Sequence, residues 1–158
     1  MSPLAEPPVG NAQASEARSN PTPPPGASNV VVHYLDGRRL QGYTLDFDAN
    51  KPGFHLHEAD NPSKEGLEIW MKGLKAVFFV KDFAGQSGQS VRNEFCDGET
   101  PPAARKLRVE FLDGEVFAGY TMGYHPSRQG FFFFPVDPAS NNLRVFALVA
   151  ATKRVDRL

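Results

Sequence analysis

Leu35-Asp36-Gly37, Gly42-Tyr43-Thr44 and Gly53-Phe54 return with the same spacing, 77 residues further on, as Leu112-Asp113-Gly114, Gly119-Tyr120-Thr121 and Gly130-Phe131. Between residues 35–57 and 112–134, 8 of 23 positions are identical without a gap. Residue frequencies near about 7% predict about one or two. The chain therefore reads as two copies of one unit. The first covers residues 29–83 and the second 105–158, with a polar Gly/Ser/Pro-containing connector over 84–104. Beyond Ser63 the register needs a small gap, across which Trp70 aligns with Phe146 and Lys75 with Lys153.

Each unit has the pattern of short strands. Val30 to Leu35 is a β-branched run, and Asp36-Gly37 is a hairpin signal because Gly reaches positive φ without a Cβ clash. A second extended run follows to Phe47. Phe54 to Glu58, Leu67 to Met71 and Ala76 to Asp82 supply three more, separated by turn residues, and no segment holds a helical period. Five short strands in one small unit predict a closed barrel, since closure removes exposed edges. The expected fold class is all-β: two tandem five-stranded small barrels of the SH3 or Sm type after a disordered N-terminal tail.

The tail is residues 1–28. It holds 7 of the 14 prolines and precedes the first aromatic, Tyr34, so it lacks the apolar surface that would offset its ordering entropy. Arg18, Pro21 and Pro24 match the spacing of a polyproline ligand, a pattern that proline-rich linkers also meet by chance.

Comparing the copies separates the strand faces, because side chains alternate with period two. Val30, Val32 and Tyr34 align with Leu107, Val109 and Phe111, apolar in both, and define the inner face. Phe54 and Leu56 align with Phe131 and Phe133 in the same way. Their neighbours His55 and His57 become Phe132 and Phe134, which places two rings on an outer face. Phe78 and Val80 alternate with Val77 and Phe79, so one of those pairs also points away from its own core. A unit of this size is marginal alone. Phe132 and Phe134 on one side, with Phe78 and Val80 on the other, are therefore the expected contact between units or with a partner, able to supply about 3–6 kcal/mol if two rings are buried.

Val32-His33-Tyr34-Leu35-Asp36-Gly37-Arg38, then Gly42 and Leu45-Asp46-Phe47-Asp48, resembles the first motif of the Sm and Sm-like proteins, and Lys72-Gly73 before Val77 loosely resembles their second. That resemblance implies a strongly bent small barrel. It does not carry over the RNA-binding Asn, because Ala49-Asn50-Lys51-Pro52-Gly53-Phe54 follows Asp48 and the second copy has His125 and Ser127. The whole repeat also resembles an uncharacterised bacterial domain of unknown function. The segments that carry this are Asp-Gly with Gly-Tyr-Thr, Gly-Phe-Phe-Phe-Phe-Pro-Val-Asp at 130–137, and Leu-Lys-Ala-Val-Phe-Phe-Val-Lys-Asp-Phe at 74–83. It implies a regulatory or adaptor role in signalling chains, sometimes beside PilZ or receiver domains, and brings no catalytic residues. The PilZ cyclic di-GMP motifs are not in the sequence: Arg105 and Arg108 are three apart rather than four, and Asp137-Pro138-Ala139-Ser140 has the wrong interval.

Charge narrows the ligand class. The chain has 17 Lys+Arg against 18 Asp+Glu, for a net charge of −1, with no overall cationic surplus for nucleic acid or anionic lipid. The first unit carries 7 cationic and 8 anionic side chains, the second 8 and 5. Arg144, Lys153, Arg154 and Arg157 are the candidate anion-binding residues of the second unit, set against the simpler account of a solvated face. No apolar run reaches the length of a membrane span and no secretory leader pattern is present, so a cytoplasmic location is expected. Cys96, the single thiol, excludes an internal disulfide and lies in the polar connector. His55 and His57 share a strand face and are weak metal candidates without an evident third ligand. Asp36, Gly37, Gly42, Asp113, Gly114 and Gly119 are turn and bend residues. No phosphate loop, nucleophile elbow or paired-acid motif is present.

The expected function is a non-enzymatic bacterial regulatory adaptor that binds a protein partner through strand edges or an aromatic face, with no cofactor. Nucleotide or nucleic-acid binding at the basic end of the second unit is the alternative. Neither nucleic acid nor membrane is the expected partner, and self-association is left open.

Overall fold

The computed structural model describes residues 24–58, 66–83, 95, 101, 103–137 and 139–158. The expectations for the tail before residue 24, for Cys96 and for most of the connector lie outside the described residues. Ten strands follow in chain order: β1 (Ser28–Tyr34), β2 (Arg39–Thr44), β3 (Gly53–Glu58), β4 (Leu67–Trp70) and β5 (Leu74–Val80), then β6 (Arg105–Phe111), β7 (Val116–Thr121), β8 (Gly130–Pro135), β9 (Asn142–Leu148) and β10 (Thr152–Arg157). A 3-10 turn, Val149–Ala151, links the last two. Among the described residues no helix is long and apolar enough to cross a membrane.

The hairpin signals form the turns they predict. Gly37 and Gly114 have φ of 95° and 94°, a region costly for a side chain. The preceding carboxylates close each turn: Asp36 accepts the Arg38 N–H at 3.0 Å, and Asp113 accepts the Glu115 N–H at 3.0 Å. Gly42 and Gly119 serve a different purpose. They stand where β2 and β7 cross onto β3 and β8, and a Cβ there would lie 2.1 Å from the His57 carbonyl oxygen or 2.5 Å from that of Phe134. Only a residue without a side chain permits backbones to approach so closely.

All strand pairs are antiparallel and form one sheet in the order β10-β6-β7-β8-β9-β5-β1-β2-β3-β4. The two halves repeat one pairing scheme. Val30 lies opposite Gly42, as Leu107 lies opposite Gly119, and Val32 opposite Val77, as Val109 lies opposite Val155. Between the third and fourth strands of the second half one extra residue is accommodated. Gly53 faces Trp70 where Gly130 faces Leu148, so the counterpart of Trp70 is Leu148, not the Phe146 that sequence alignment selects. Lys75 and Lys153 do correspond, each following the residue opposite Tyr34 or Phe111.

The expected pair of separate barrels is not what the strand order shows. The sheet is continuous and unclosed, and the principal core draws on both halves, from Val30, Val32 and Leu56 to Phe133, Val145 and Phe146. The cause is β5, whose seven residues are all buried. A strand covered on both faces is stable only with neighbours at both edges, and β5 takes β1 from its own half and β9 from the other.

Candidate interaction surface

The seam between halves is built on β5 and β9. Ala76 faces Ala147, Val77 faces Phe146 and Phe78 faces Val145. Over one face of this pair lies a cluster of rings. Phe47, in the loop after β2, meets Phe79 at 5.1 Å and Phe146 at 5.2 Å between centroids. Phe132 on β8 reaches Phe146 at 5.0 Å, Phe79 at 5.9 Å and Phe47 at 6.0 Å. The Arg144 guanidinium covers the cluster, 4.4 Å from the Phe79 centroid and 4.6 Å from that of Phe132. The Gln129 amide crosses the seam as well, donating to the Ala49 and Lys51 carbonyls at 2.7 and 2.6 Å.

An ionic contact that sequence reading missed also joins the halves. Lys75 on β5 is buried, and its ammonium donates to Asp113 Oδ2 at 2.7 Å and to Glu115 Oε1, both on the β6–β7 hairpin of the other half. The Lys75 hydrogen bond, with that from the Glu115 N–H, holds the Asp113 carboxyl below its ordinary range. The available signal was an apolar strand interrupted by one lysine, since a cation in a buried strand requires a partner.

On the opposite face the halves enclose a cleft of about 580 Å³, with Phe78 and Phe117 as apolar wall and His33, Arg39 and Glu115 among its polar lining. His33 packs on Phe78 at 4.4 Å, and Phe117 approaches Phe78 at 5.8 Å. Burial, reinforced by the nearby charges of Arg39 and Lys75, lowers the His33 pKa to about 4. The folded chain keeps this ring neutral down to that pH, whereas the unfolded chain protonates it near the ordinary histidine value. The resulting stability is complete above about pH 6.5 and is lost as pH falls toward 4. Its full linkage value is about 3 kcal/mol, and partial solvent access reduces it to roughly 1–2 kcal/mol. Urea midpoints of wild type and His33→Gln at pH 7 and pH 4.5 check this: the variant is expected to lose less stability on acidification by that amount.

The residues singled out from sequence occupy different places. Phe78 and Val80 are buried at the seam, and Phe132 is half-buried within the ring cluster. Phe134 stands 41% exposed opposite Tyr120 and is not brought into that cluster. The four cations do not converge. Arg144 is held over the rings on β9, while Lys153, Arg154 and Arg157 lie on β10 at the far end of the strand order. Lys153 lies 3.8 Å from Glu110, and Arg154 pairs with Asp156 at 3.0 Å. The two histidines also part: His55 Nδ1 meets Asp46 Oδ2 at 2.6 Å, whereas His57 stacks on Tyr43 at 4.8 Å. The Asp46 hydrogen bond raises the His55 pKa. Burial pushes the Asp46 carboxyl up, but its hydrogen bonds from His55 and Thr44 outweigh this and leave it lowered. Among the described residues no three His, Cys, Asp or Glu side chains gather as a metal site.

The remaining feature is an edge. Among the described residues β4 pairs only with β3, and it carries Leu67 at 40% and Trp70 at 55% exposure. A groove of about 230 Å³ runs along it between Lys51, Phe54, His55, Glu68 and Trp70. Exposed unpaired N–H and C=O groups beside apolar side chains can hydrogen-bond an extended chain and hold it.

No curated protein and no solved structure matches the chain. A family model covers residues 26–158, all ten strands of the sheet, and by that match the chain belongs to a family of unknown function, DUF6982.

Proposed function

We propose that this protein is a non-enzymatic adaptor of bacterial regulation that binds a protein partner by adding an extended segment to the β4 edge. The observation that carries this reading is that β4, among the described residues, pairs only with β3, and that its outer side is flanked by the exposed Leu67 and Trp70 and by the groove against His55 and Glu68. In this reading each half is a copy of one SH3- or Sm-like unit, an interpretation supported by the repeated strand order. The ring cluster and the Lys75 contact then serve to hold the two units as one rigid body that presents the edge. Main-chain hydrogen bonds supply affinity in such a mode, and pockets for alternate side chains supply selectivity.

Trp70 is the single tryptophan of the chain, which makes the edge its own reporter. Linear peptides selected on phage against the full chain are expected to shift Trp70 emission, and Trp70→Ala is expected to weaken their binding at least about tenfold, an effect typical of an anchoring aromatic. Peptides that bind Trp70→Ala as tightly as wild type would overturn the reading.

A further inference from the structure

We propose that the strand added to β4 is β10 of a second copy, so that copies of this chain join head to tail. The inference rests on the preceding reading of β4 as a protein-binding edge and names its partner. Its template lies within the chain. Each half orders its strands as fifth, first, second, third, fourth: β5-β1-β2-β3-β4 and β10-β6-β7-β8-β9. The seam pairs β9, a fourth strand, with β5, a fifth strand. The two ends of the sheet are β4, the other fourth strand, and β10, the other fifth. The pair left open is thus of the same kind as the pair already made.

The seam also supplies the register. β10 corresponds to β5 through Val155 and Val77, which face Val109 and Val32. β4 corresponds to β9 through Ile69 and Ala147, which face Phe54 and Phe131. Carrying Ala76↔Ala147, Val77↔Phe146 and Phe78↔Val145 onto the open strands sets Arg154 opposite Ile69, Val155 opposite Glu68 and Asp156 opposite Leu67. In that register Glu68 has Arg157 of the other copy as a diagonal neighbour on one face, within reach of long side chains, whereas Lys153 sits at the bulge between Thr152 and Arg154 and is directed to Glu110. Arg157, whose guanidinium lies 6.0 Å from the Tyr124 ring centroid, is thereby set across the junction from Glu68.

The contact differs from the seam in its chemistry. The seam rings Phe132, Phe47 and Phe79 correspond by position to His55, Tyr124 and Arg157, so the junction between copies is ionic where the internal one is apolar. It is therefore reversible and sensitive to salt. A fourth-to-fifth strand contact is heterologous, and it propagates into a ring or a filament according to the angle between copies.

Sedimentation of the full chain tests the idea. At low salt the mass is expected to rise with concentration toward multiples of 17.4 kDa and to return to the monomer in about 0.5 M salt. Glu68→Lys is expected to abolish the rise, as is Arg157→Glu. Mixing these two proteins makes both junctions between unlike copies complementary, the reversed pair on one side and the original Glu68–Arg157 pair on the other, and is expected to restore the rise with the two proteins alternating. A chain monomeric at every concentration, or a mixture of the two variants that stays monomeric, overturns the proposal. If Trp70 still responds to phage-selected peptides in that case, the edge reading stands and only the partner is wrong; if both fail, the edge reading falls too.

Discussion

Replacing Asp113 and Glu115 together by alanine is expected to destabilise the protein by about 3 kcal/mol or more, whereas Lys75→Met is expected to cost less than about 1 kcal/mol. The asymmetry follows from exposure. The Lys75 side chain is 5% exposed, but the two carboxylates are 45% and 49% exposed. Removing the carboxylates strands a buried ammonium without a partner, and that desolvation penalty is large. Removing the ammonium leaves two anions that water can solvate, and a methionine of similar length keeps the packing against Phe111, whose centroid lies 4.9 Å from the Lys75 ammonium. Chemical denaturation at pH 7 measures both. The acid side provides a second reading: Asp113 is held below its ordinary pKa, so its contribution is present above that ordinary value and disappears as pH falls through the lowered one. Lys75→Met should flatten this part of the stability profile below about pH 4.

The aromatic seam sets the second large effect. Phe146 is fully buried at the centre of the ring cluster, and Phe146→Ala is expected to cost about 3–5 kcal/mol. Phe132→Ser, which removes a half-buried ring from Phe79 and Phe47, is expected to cost about 2–3 kcal/mol. Phe134→Ser, at an exposed site, should stay within about 0.5 kcal/mol. Thermal melts of the three variants provide the comparison, and equal losses at Phe132 and Phe134 would contradict the seam as described. A loss at Phe146 that unfolds β9 but spares the first half would show that the halves do not melt as one unit, contrary to their shared core.

The rings illustrate how far sequence comparison reached. Substitution of His55 and His57 by Phe132 and Phe134 marked an outer face, and both rings looked equivalent there. They separate because a face has a position along the sheet as well as a side. Phe132 stands next to β9 and meets the neighbouring half, while Phe134 stands farther along β8, opposite Tyr120 on β7. Lys75 was hidden for a related reason: its partners are 38 and 40 residues away, on a hairpin whose Asp already had a local explanation in the turn. Gly42 and Gly119 were visible as bend residues, but the carbonyl each must admit belongs to another strand.

Strand positions, the two Asp-Gly hairpins, the inward apolar set and the repeated spacing came from the order of residues alone, because alternation and positive-φ turns act over a few neighbours. The closing of each unit did not follow from that pattern. Backbone edges bond to any strand that reaches them, and β5 is completed by β9 of the other half, leaving one sheet with a shared core. Which edge is filled depends on the burial available when all ten strands are present, and that sum exists only in three dimensions.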